Sequence, residues 1–128
     1  MHTLATDSLL DPQIVRELIG ATSDSGSGFM RDLLATFTAD ARAALERMRR
    51  QVLMNDAAAL ACEAHRLKGS SGTMGAIRLA GACLSIERSA RSGLCAGLEA
   101  HIDGALDVLD ATRFGLDEFF RGTIAETV

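Results

Sequence analysis

The chain has 128 residues, of which 48% are hydrophobic, and a formal net charge of −4 at pH 7. This length and apolar content suit one folded domain with its own core and exclude a largely disordered chain. The negative charge disfavours nucleic acid as the main partner. No apolar run approaches the roughly 20 residues that span a bilayer, so we expect no membrane insertion.

The first residues, MHTLATDSLLDPQ, lack the basic segment and following apolar stretch of a secretory signal. The three cysteines, Cys62, Cys83 and Cys95, are odd in number and irregularly spaced. They argue against a disulfide framework and favour small side chains buried in a core. We therefore expect a cytoplasmic protein. The sequence leaves open whether it is free-standing or a module of something larger.

The first predicted helix begins at Asp11 and Pro12, an N-cap residue followed by proline at the first helical position. Residues 1–10 before it are expected to form an N-terminal tail. An apolar stripe runs from Ile14 to Ile19, and Gly20 should end the helix. The segment ATSDSGSG that follows predicts a loop.

Four longer helices are predicted after this loop, because apolar residues recur at three- and four-residue spacing. The helix of about residues 28–53 should face inward with Phe29, Leu33, Phe37, Ala41, Ala44, Leu45, Met48 and Val52. The next helix should run from a cap at Asn55 or Asp56 to about Ser71, with an inward stripe of Leu60, Ala64, Leu67 and Ser71. The helix of about 75–91 should face inward with Leu79, Cys83, Ile86 and Ala90, and the helix of about 95–121 with Leu98, Ile102, Ala105, Leu109, Leu116 and Phe120. Short connections make sequential helices antiparallel neighbours. The sequence thus predicts an all-α fold, an antiparallel four-helix bundle with an additional short N-terminal helix. The domain should span residues 11–121, and residues 122–128 should form a C-terminal tail.

The charges are unevenly distributed along the chain. Residues 31–91 carry ten basic and six acidic side chains, which gives +4, whereas one basic and four acidic side chains give −3 in residues 1–30. Residues 92–128 carry two basic and seven acidic side chains, which gives −5. The basic segment, residues 31–91, could attract an acidic protein surface. Ordinary solvated helix faces would give the same charge pattern.

A histidine lies inside the third predicted helix, in the segment EAHRLKGSSGTMGA. At about 100° per residue, His65 falls just outside the apolar stripe, so its ring should be largely exposed. Its neighbours at three, four and seven residues are small, except for the only lysine of the chain. These neighbours are Ala58, Ala61, Cys62, Lys68, Gly69 and Gly72.

The two glycines are unexpected within a helix, where each costs about 1 kcal/mol relative to alanine. Gly72 has an ordinary alternative role as a helix C-cap, but Gly69 lies one turn further inside. Bare backbone at both positions would let a partner surface approach the imidazole. The predicted partner-docking residues are therefore Ala58, Ala61, Cys62, Gly69 and Gly72.

The chemistry of this strip suggests phosphoryl transfer. An exposed imidazole is largely neutral near pH 7 and can attack phosphorus, and the Lys68 ammonium would neutralise a small phosphoryl group. No carboxylate stands at a turn's spacing to make a hydrolytic base, since Glu63 projects more than about 150° away around the helix. The chain also has no G-x-x-x-x-G-K-[ST] loop for ATP. These features favour a carrier phosphorylated by another protein over an enzyme.

The segment AHRLKGSSGTMGAIRLAGACLSIE resembles the histidine-containing phosphotransfer (HPt) domain of multistep two-component phosphorelays. The signature His-x-Leu-Lys-Gly-Ser-Ser is present from His65 to Ser71. The glycine–alanine pair that follows it in the family appears as Gly75 and Ala76, and the cysteine-to-glutamate ending as Cys83 and Glu87. The upstream segment FMRDLLATFTADARAALERM resembles the long helix before the histidine helix, and the whole resemblance covers about residues 10–120.

This resemblance implies that His65 takes a phosphoryl group from the aspartate of a response-regulator receiver domain and relays it to another receiver. Lys68 would stabilise the phosphoryl group, and Gly69 would leave room for the receiver. The chain itself would need no cofactor, because Mg²⁺ would be supplied by the receiver. Gly72 replaces a commoner small or apolar residue and would end the helix earlier. A monomer is expected, whose receivers could belong to a hybrid sensor kinase.

Three alternatives differ from this interpretation. Cys62 and His65, at i and i+3, could face one metal ion, but no second ligand pair has zinc spacing, so no metal site is expected. In a non-catalytic helical-bundle interaction module, His65 would have no chemical role, and a phosphohistidine assay would then detect no phosphorylation. The dimerisation domain of a histidine kinase is a helical hairpin followed by an ATP-binding domain, whereas this chain completes four helices. His101, on the acidic last helix, is expected to be a surface residue.

Overall fold

The computed structural model describes residues 9–127, with side chains described for 9–26 and 28–122. Within residues 9–127 the chain forms five α-helices of at least 11 residues: α1 (Pro12–Thr22), α2 (Ser27–Leu53), α3 (Ala57–Thr73), α4 (Ile77–Arg91) and α5 (Leu98–Thr127). A short 3-10 turn, Ser23–Ser25, joins α1 to α2. Over the described residues, no helix is both long enough and apolar enough to cross a membrane.

Successive helices from α2 to α5 pack against each other, and α2 also packs against α5. These contacts close a four-helix bundle, and α1 contacts α2 at one end of it. The predicted all-α fold, an antiparallel bundle with a short additional N-terminal helix, is confirmed. Since α2 and α4 both contact α3, α3 lies diagonally across the bundle from α5.

The predicted apolar stripes of α3, α4 and α5 form the core. All of their predicted inward residues are buried: Leu60, Ala64, Leu67, Ser71, Leu79, Cys83, Ile86, Ala90, Leu98, Ile102, Ala105, Leu109, Leu116 and Phe120. The stripe of α2 passes through Met30, Leu34 and Phe37. Phe29 lies about 100° from Met30 around that helix and is 46% exposed, so its predicted inward position is wrong.

Helix-capping aspartates fix the starts of α1 and α3. The Asp11 carboxylate accepts hydrogen bonds from the backbone N–H groups of Gln13 (3.0 Å) and Ile14 (3.4 Å), as an N-cap should. At the second junction, Asp56 accepts from the Ala59 N–H at 3.1 Å and is therefore the cap. The alternative residue, Asn55, instead has φ 55° and ends the turn after α2.

Two helix ends differ from the prediction because an isolated glycine weakens a helix without stopping it. Helix α1 continues past Gly20 to Thr22, whose hydroxyl donates to the Leu18 carbonyl at 2.9 Å. Helix α3 continues to Thr73, so the interpretation of Gly72 as a C-cap is wrong.

The ends of the predicted domain also differ from the structure. Leu10, assigned to the tail of residues 1–10, is 3% exposed and packs in a small cluster with Leu116. Its packed position places the start of the domain before Asp11, while residues 1–8 lie outside the described range. At the other end α5 runs to Thr127, which replaces most of the predicted tail of residues 122–128 with helix.

Gly75 makes the turn between α3 and α4 and holds α1 in place. Its φ of +76° lies in the left-handed region, and its carbonyl accepts the Asp11 N–H at 2.8 Å. A Cβ at this position would lie 2.8 Å from Val15 Cγ2. Both the backbone conformation and the close approach of α1 therefore require glycine here.

We predict that Gly75→Ala lowers the free energy of unfolding by about 1–3 kcal/mol, because it combines a strained backbone with a clash against Val15. Gly81→Ala is the matched control, since Gly81 is helical and a Cβ there meets nothing within 4 Å. The control should gain about 1 kcal/mol. Urea unfolding measures both changes, and equal stabilities would contradict the role given to Gly75.

Candidate functional site

His65 lies midway along α3, at the edge of the buried stripe of that helix. Its side chain is 58% exposed, in agreement with its predicted position at the edge of the stripe. The ring is nevertheless anchored, because Nδ1 lies 3.1 Å from Oε2 of Glu87 on α4. The imidazole is thus exposed to a partner and yet fixed in orientation.

Glu87 contacts polar groups of the site on two helices, α3 and α4. Its Oε1 accepts from Lys68 Nζ at 3.0 Å, and its Oε2 accepts from Arg91 Nε at 2.9 Å as well as facing His65. The carboxylate brings His65 and Lys68 together, since each contacts one of its two oxygens. Spacing along the histidine helix could not predict this role, because Glu87 lies on α4. In the sequence, this role is indicated by a glutamate that directly follows the buried residue Ile86 of α4.

The ionisation of Glu87 decides which ring nitrogen of His65 is available. Hydrogen bonds from Lys68 and Arg91 lower the pKa of Glu87 to about 2, although burial opposes the shift. An ionised carboxylate only accepts hydrogen bonds, so the ring must donate Nδ1–H to it. The lone pair of His65 then resides on Nε2, which has no hydrogen-bond partner among residues 9–127.

The predicted docking strip is open at four of its five positions. Ala58, Cys62 and Gly69 are exposed, and Gly72 is half-buried. A Cβ on Gly69 or Gly72 would meet no atom within 4 Å, so no packing inside the protein demands glycine at either position. The inclusion of Ala61 is wrong: it is 3% exposed, because it lies one turn before Ala64 on the buried stripe.

Glu63 of α3 is also a buried carboxylate, and it faces the side of the helix opposite His65. Arg47 of α2 holds it through two hydrogen bonds of 3.0 Å, and Arg66 adds a third at 3.2 Å. The hydrogen bond from Arg47 lowers the pKa of Glu63. Its contacts agree with the prediction that Glu63 projects away from His65.

The remaining titratable groups are spread over the protein. In the part of the chain that the structure describes, no group of three or more His, Cys, Asp or Glu side chains converges to hold a metal ion. All three cysteines are free. Cys83 and Cys95 are buried as predicted, and burial raises the pKa of Cys83 to about 12, whereas Cys62 is exposed. His101 is exposed on α5, as predicted.

Comparisons with known proteins agree on one family. The model of the Hpt domain family matches residues 32–112. The structure is similar to histidine-containing phosphotransfer protein B (HptB) from Pseudomonas aeruginosa PAO1, with a TM-score of 0.78 and 30% identity over 88% of this chain and 94% of that one. A rice protein named as a candidate histidine-containing phosphotransfer protein has a TM-score of 0.62 and 19% identity, over 94% of this chain and 84% of the rice chain. At that identity the likeness shows the fold alone. Curated protein sequences gave no significant match.

We predict that Glu87→Gln destabilises the protein at pH 7 and that the loss disappears in acid. The pKa of Glu87 falls from 4.5 to about 2 on folding, so its carboxylate stabilises the folded state fully above about pH 4.5. That contribution is lost as the pH falls through about 2, where the wild-type side chain becomes neutral like glutamine.

Urea midpoints of wild type and Glu87→Gln should therefore differ at neutral pH and converge across this acid window. Glu118→Gln, an exposed carboxylate on α5, serves as the control and should leave the midpoint near that of wild type. A difference for Glu87→Gln that stays constant down to pH 2 would contradict the assigned role.

Proposed function

The chain belongs to the Hpt domain family, whose members are phosphotransfer carriers of phosphorelays, and from this premise we propose that His65 is the residue that carries the phosphoryl group. Hpt proteins interact with response-regulator receiver domains, so a receiver is the partner of this chain. The observation that carries the proposal is the hydrogen bond from Nδ1 to Glu87, which leaves the lone pair of His65 on Nε2.

In the proposed reaction, Nε2 attacks the phosphorus of a receiver's aspartyl phosphate in line with the bond that breaks. The Nε2–P bond forms as the P–O bond breaks, and the aspartate leaves as a carboxylate. The Lys68 ammonium, 3.0 Å from Glu87, neutralises charge on the moving phosphoryl group. Transfer to a second receiver reverses these events. The proposal assigns Mg²⁺ to the receiver and no cofactor to this chain.

The receiver is proposed to dock over Ala58, Cys62, Gly69 and Gly72. Small side chains and bare backbone at these exposed or half-buried positions leave room for a surface to reach the imidazole. Residues 57–91, which include α3 and α4, carry five basic and two acidic side chains, a net charge of +3. This charge favours an acidic partner surface.

The chain has no ATP-binding glycine loop, so the proposed donor is a receiver rather than ATP. It would act as a monomer in the cytoplasm, where three free cysteines remain reduced. The same chemistry serves a free-standing carrier or a module that exchanges phosphoryl groups with the receiver of a hybrid sensor kinase.

We predict that His65→Gln abolishes labelling by a phosphorylated receiver. The label on the wild-type protein should be acid-labile and alkali-stable, as a phosphoramidate is. The control is His101→Gln, which changes an exposed histidine on α5 and should keep full labelling. Label retained by His65→Gln would refute the assignment.

We predict that Gly69→Gln separates docking from chemistry. Because Gly69 is helical and exposed, glutamine should raise the free energy of unfolding by about 0.5–1 kcal/mol. Its bulk should slow transfer from a receiver by about tenfold or more, a loss of about 1.4 kcal/mol. Labelling by phosphoramidate, a small donor, should continue.

Gly104→Gln provides the matched control, since Gly104 is an exposed helical glycine on α5, diagonally across the bundle. It should gain similar stability without losing transfer. A stabilised Gly69→Gln with an undiminished rate of transfer would defeat the docking proposal.

A further inference from the structure

We propose that a groove between α2 and α5 binds an acidic helical segment of a partner protein. This α2–α5 groove has a volume of about 560 Å³ and lies between the first part of α2 and the second half of α5. Its lining combines the apolar Leu34, Ala35 and Phe114 with arginines of both helices and two aspartates of α5. The inference does not depend on phosphoryl transfer, because no residue of the groove belongs to the His65 site.

Helices α2 and α5 are joined by ion pairs that repeat every two turns. Arg49 of α2 contacts Asp103 of α5 at 2.8 Å. Seven residues earlier on α2 and seven residues later on α5, Arg42 contacts Asp110. A step of seven residues returns to nearly the same side of an α-helix, so the two pairs fix the register of these antiparallel helices.

The groove lies where the next step of seven residues places an alanine on α2. In this register Ala35 stands opposite Asp117. A methyl group cannot reach across to α5, and Asp117 is paired instead with Arg121 of its own helix at 3.0 Å. Open space is therefore left at the position where the two other steps have an arginine, and the buried Leu34 lies beside it.

Two arginines of the groove have no partner within residues 9–127. The lining carboxylates, Asp110 and Asp117, are each already paired with an arginine. Arg31 and Arg113 are exposed and form no ion pair or hydrogen bond with any described residue. An unpaired guanidinium presents N–H donors that match a carboxylate. The groove thus offers two positions for carboxylates of a partner.

Phe114 adds an apolar wall, which distinguishes a polypeptide from other anions. Its side chain is 69% exposed, so an apolar side chain of a partner would remove it from water. A phosphate or sulfate ion would make no use of this ring. A long polyanion such as nucleic acid would be repelled by the exposed Asp107 and Glu118 of the same helix. Residues 98–122 carry two basic and six acidic side chains, a net charge of −4.

The register of the helices predicts the spacing of the partner's charges. Arg113 lies at the level of Ala39, eight residues from Arg31, which is about 12 Å along the axis. Two acidic residues at i and i+7 of a partner helix are about 10 Å apart, and a residue at i+4 lies between them on the same side. The segment that fits therefore has two acidic residues two turns apart, with an apolar residue between them that contacts Ala35 and Phe114.

The α2–α5 groove and the predicted receiver-docking strip lie on different faces of the bundle. His65 contacts Glu87 of α4 from α3, and α3 lies diagonally across from α5. A partner in the groove would therefore leave the His65 ring uncovered. Such a partner would hold the protein in a complex while a receiver still reaches the histidine.

The probe is a capped, fluorescein-labelled helical peptide of alanine and glutamine with glutamates at i and i+7 and leucine at i+4. Two matched peptides replace the glutamates with glutamine or the leucine with alanine. Fluorescence anisotropy should show that the acidic peptide binds wild type and that each matched peptide binds at least about threefold more weakly. Equal affinity of the three peptides, or no binding of the acidic peptide at millimolar protein, would overturn the inference.

The variant Ala35→Arg separates binding in the groove from general attraction to positive charge. It restores an arginine at the third step of the ion-pair series, opposite Asp117, and fills the groove. Binding of the acidic peptide should fall by about tenfold or more, although the protein has gained a positive charge. Ala43→Arg adds the same charge at an exposed position facing α3 and should bind as wild type does. Unchanged or tighter binding by Ala35→Arg would contradict the proposal.

The unpaired arginines are tested one at a time. Arg31→Gln and Arg113→Gln should each weaken binding of the acidic peptide by about two- to fivefold, as expected for exposed ion pairs. Arg50→Gln removes an exposed arginine outside the groove and should leave binding unchanged. Circular dichroism confirms that the variants are folded. An equal loss in Arg50→Gln would refute the specific role of the groove.

The other occupants are distinguished by their own outcomes. A wild-type dimer in light scattering that Ala35→Arg dissociates would show that a second copy covers the groove, and would refute the inference. Displacement of the peptide by oligothymidylate would refute it in favour of nucleic acid. Saturating peptide should leave transfer from a phosphorylated receiver unchanged, and a blocked transfer would contradict the separate faces. Failure of His65 to acquire label without peptide would refute the proposed function and leave the groove unaffected.

Discussion

The ionised Glu87 carboxylate, buried between α3 and α4, is the contact on which the organisation of the site depends. A buried charge is tolerated only where it is paired and hydrogen-bonded, and Glu87 satisfies this condition with Lys68, Arg91 and His65. The same contacts join two helices, place an ammonium beside an imidazole and determine which nitrogen of the ring is free. Removing the carboxylate would therefore alter stability and chemistry together.

Contacts with α2 and α4 stabilise helix α3, and this support allows residues that are unfavourable in a helix on its outer face. Glu63 ties it to Arg47 of α2, while Glu87 ties it to α4. Gly69 and Gly72 follow the residues that make these contacts, and each is less favourable than alanine by about 1 kcal/mol in a helix. Packing against two neighbouring helices compensates for this local weakness and keeps the backbone open to a partner.

The charges of the bundle are segregated along a diagonal. Residues 57–91 have a net charge of +3, whereas residues 98–122 carry two basic and six acidic side chains, a net charge of −4. Because α5 packs on α2 and α4, its acidic surface lies diagonally opposite α3. Such a charge distribution would attract an acidic surface to α3 and α4 more than to α5.

The sequence by itself determined the helices, the buried stripes of α3, α4 and α5 and the exposure of His65, because these properties follow from spacing within one helix. Similarity of a short segment around His65 was enough to identify the family. Only the tertiary structure decided the contact between His65 and Glu87, which are 22 residues apart, and the burial of Ala61. It also decided that the turn after α3 requires glycine at position 75. Each of these depends on the register and distance at which two helices pack, and no periodicity along a single helix encodes that.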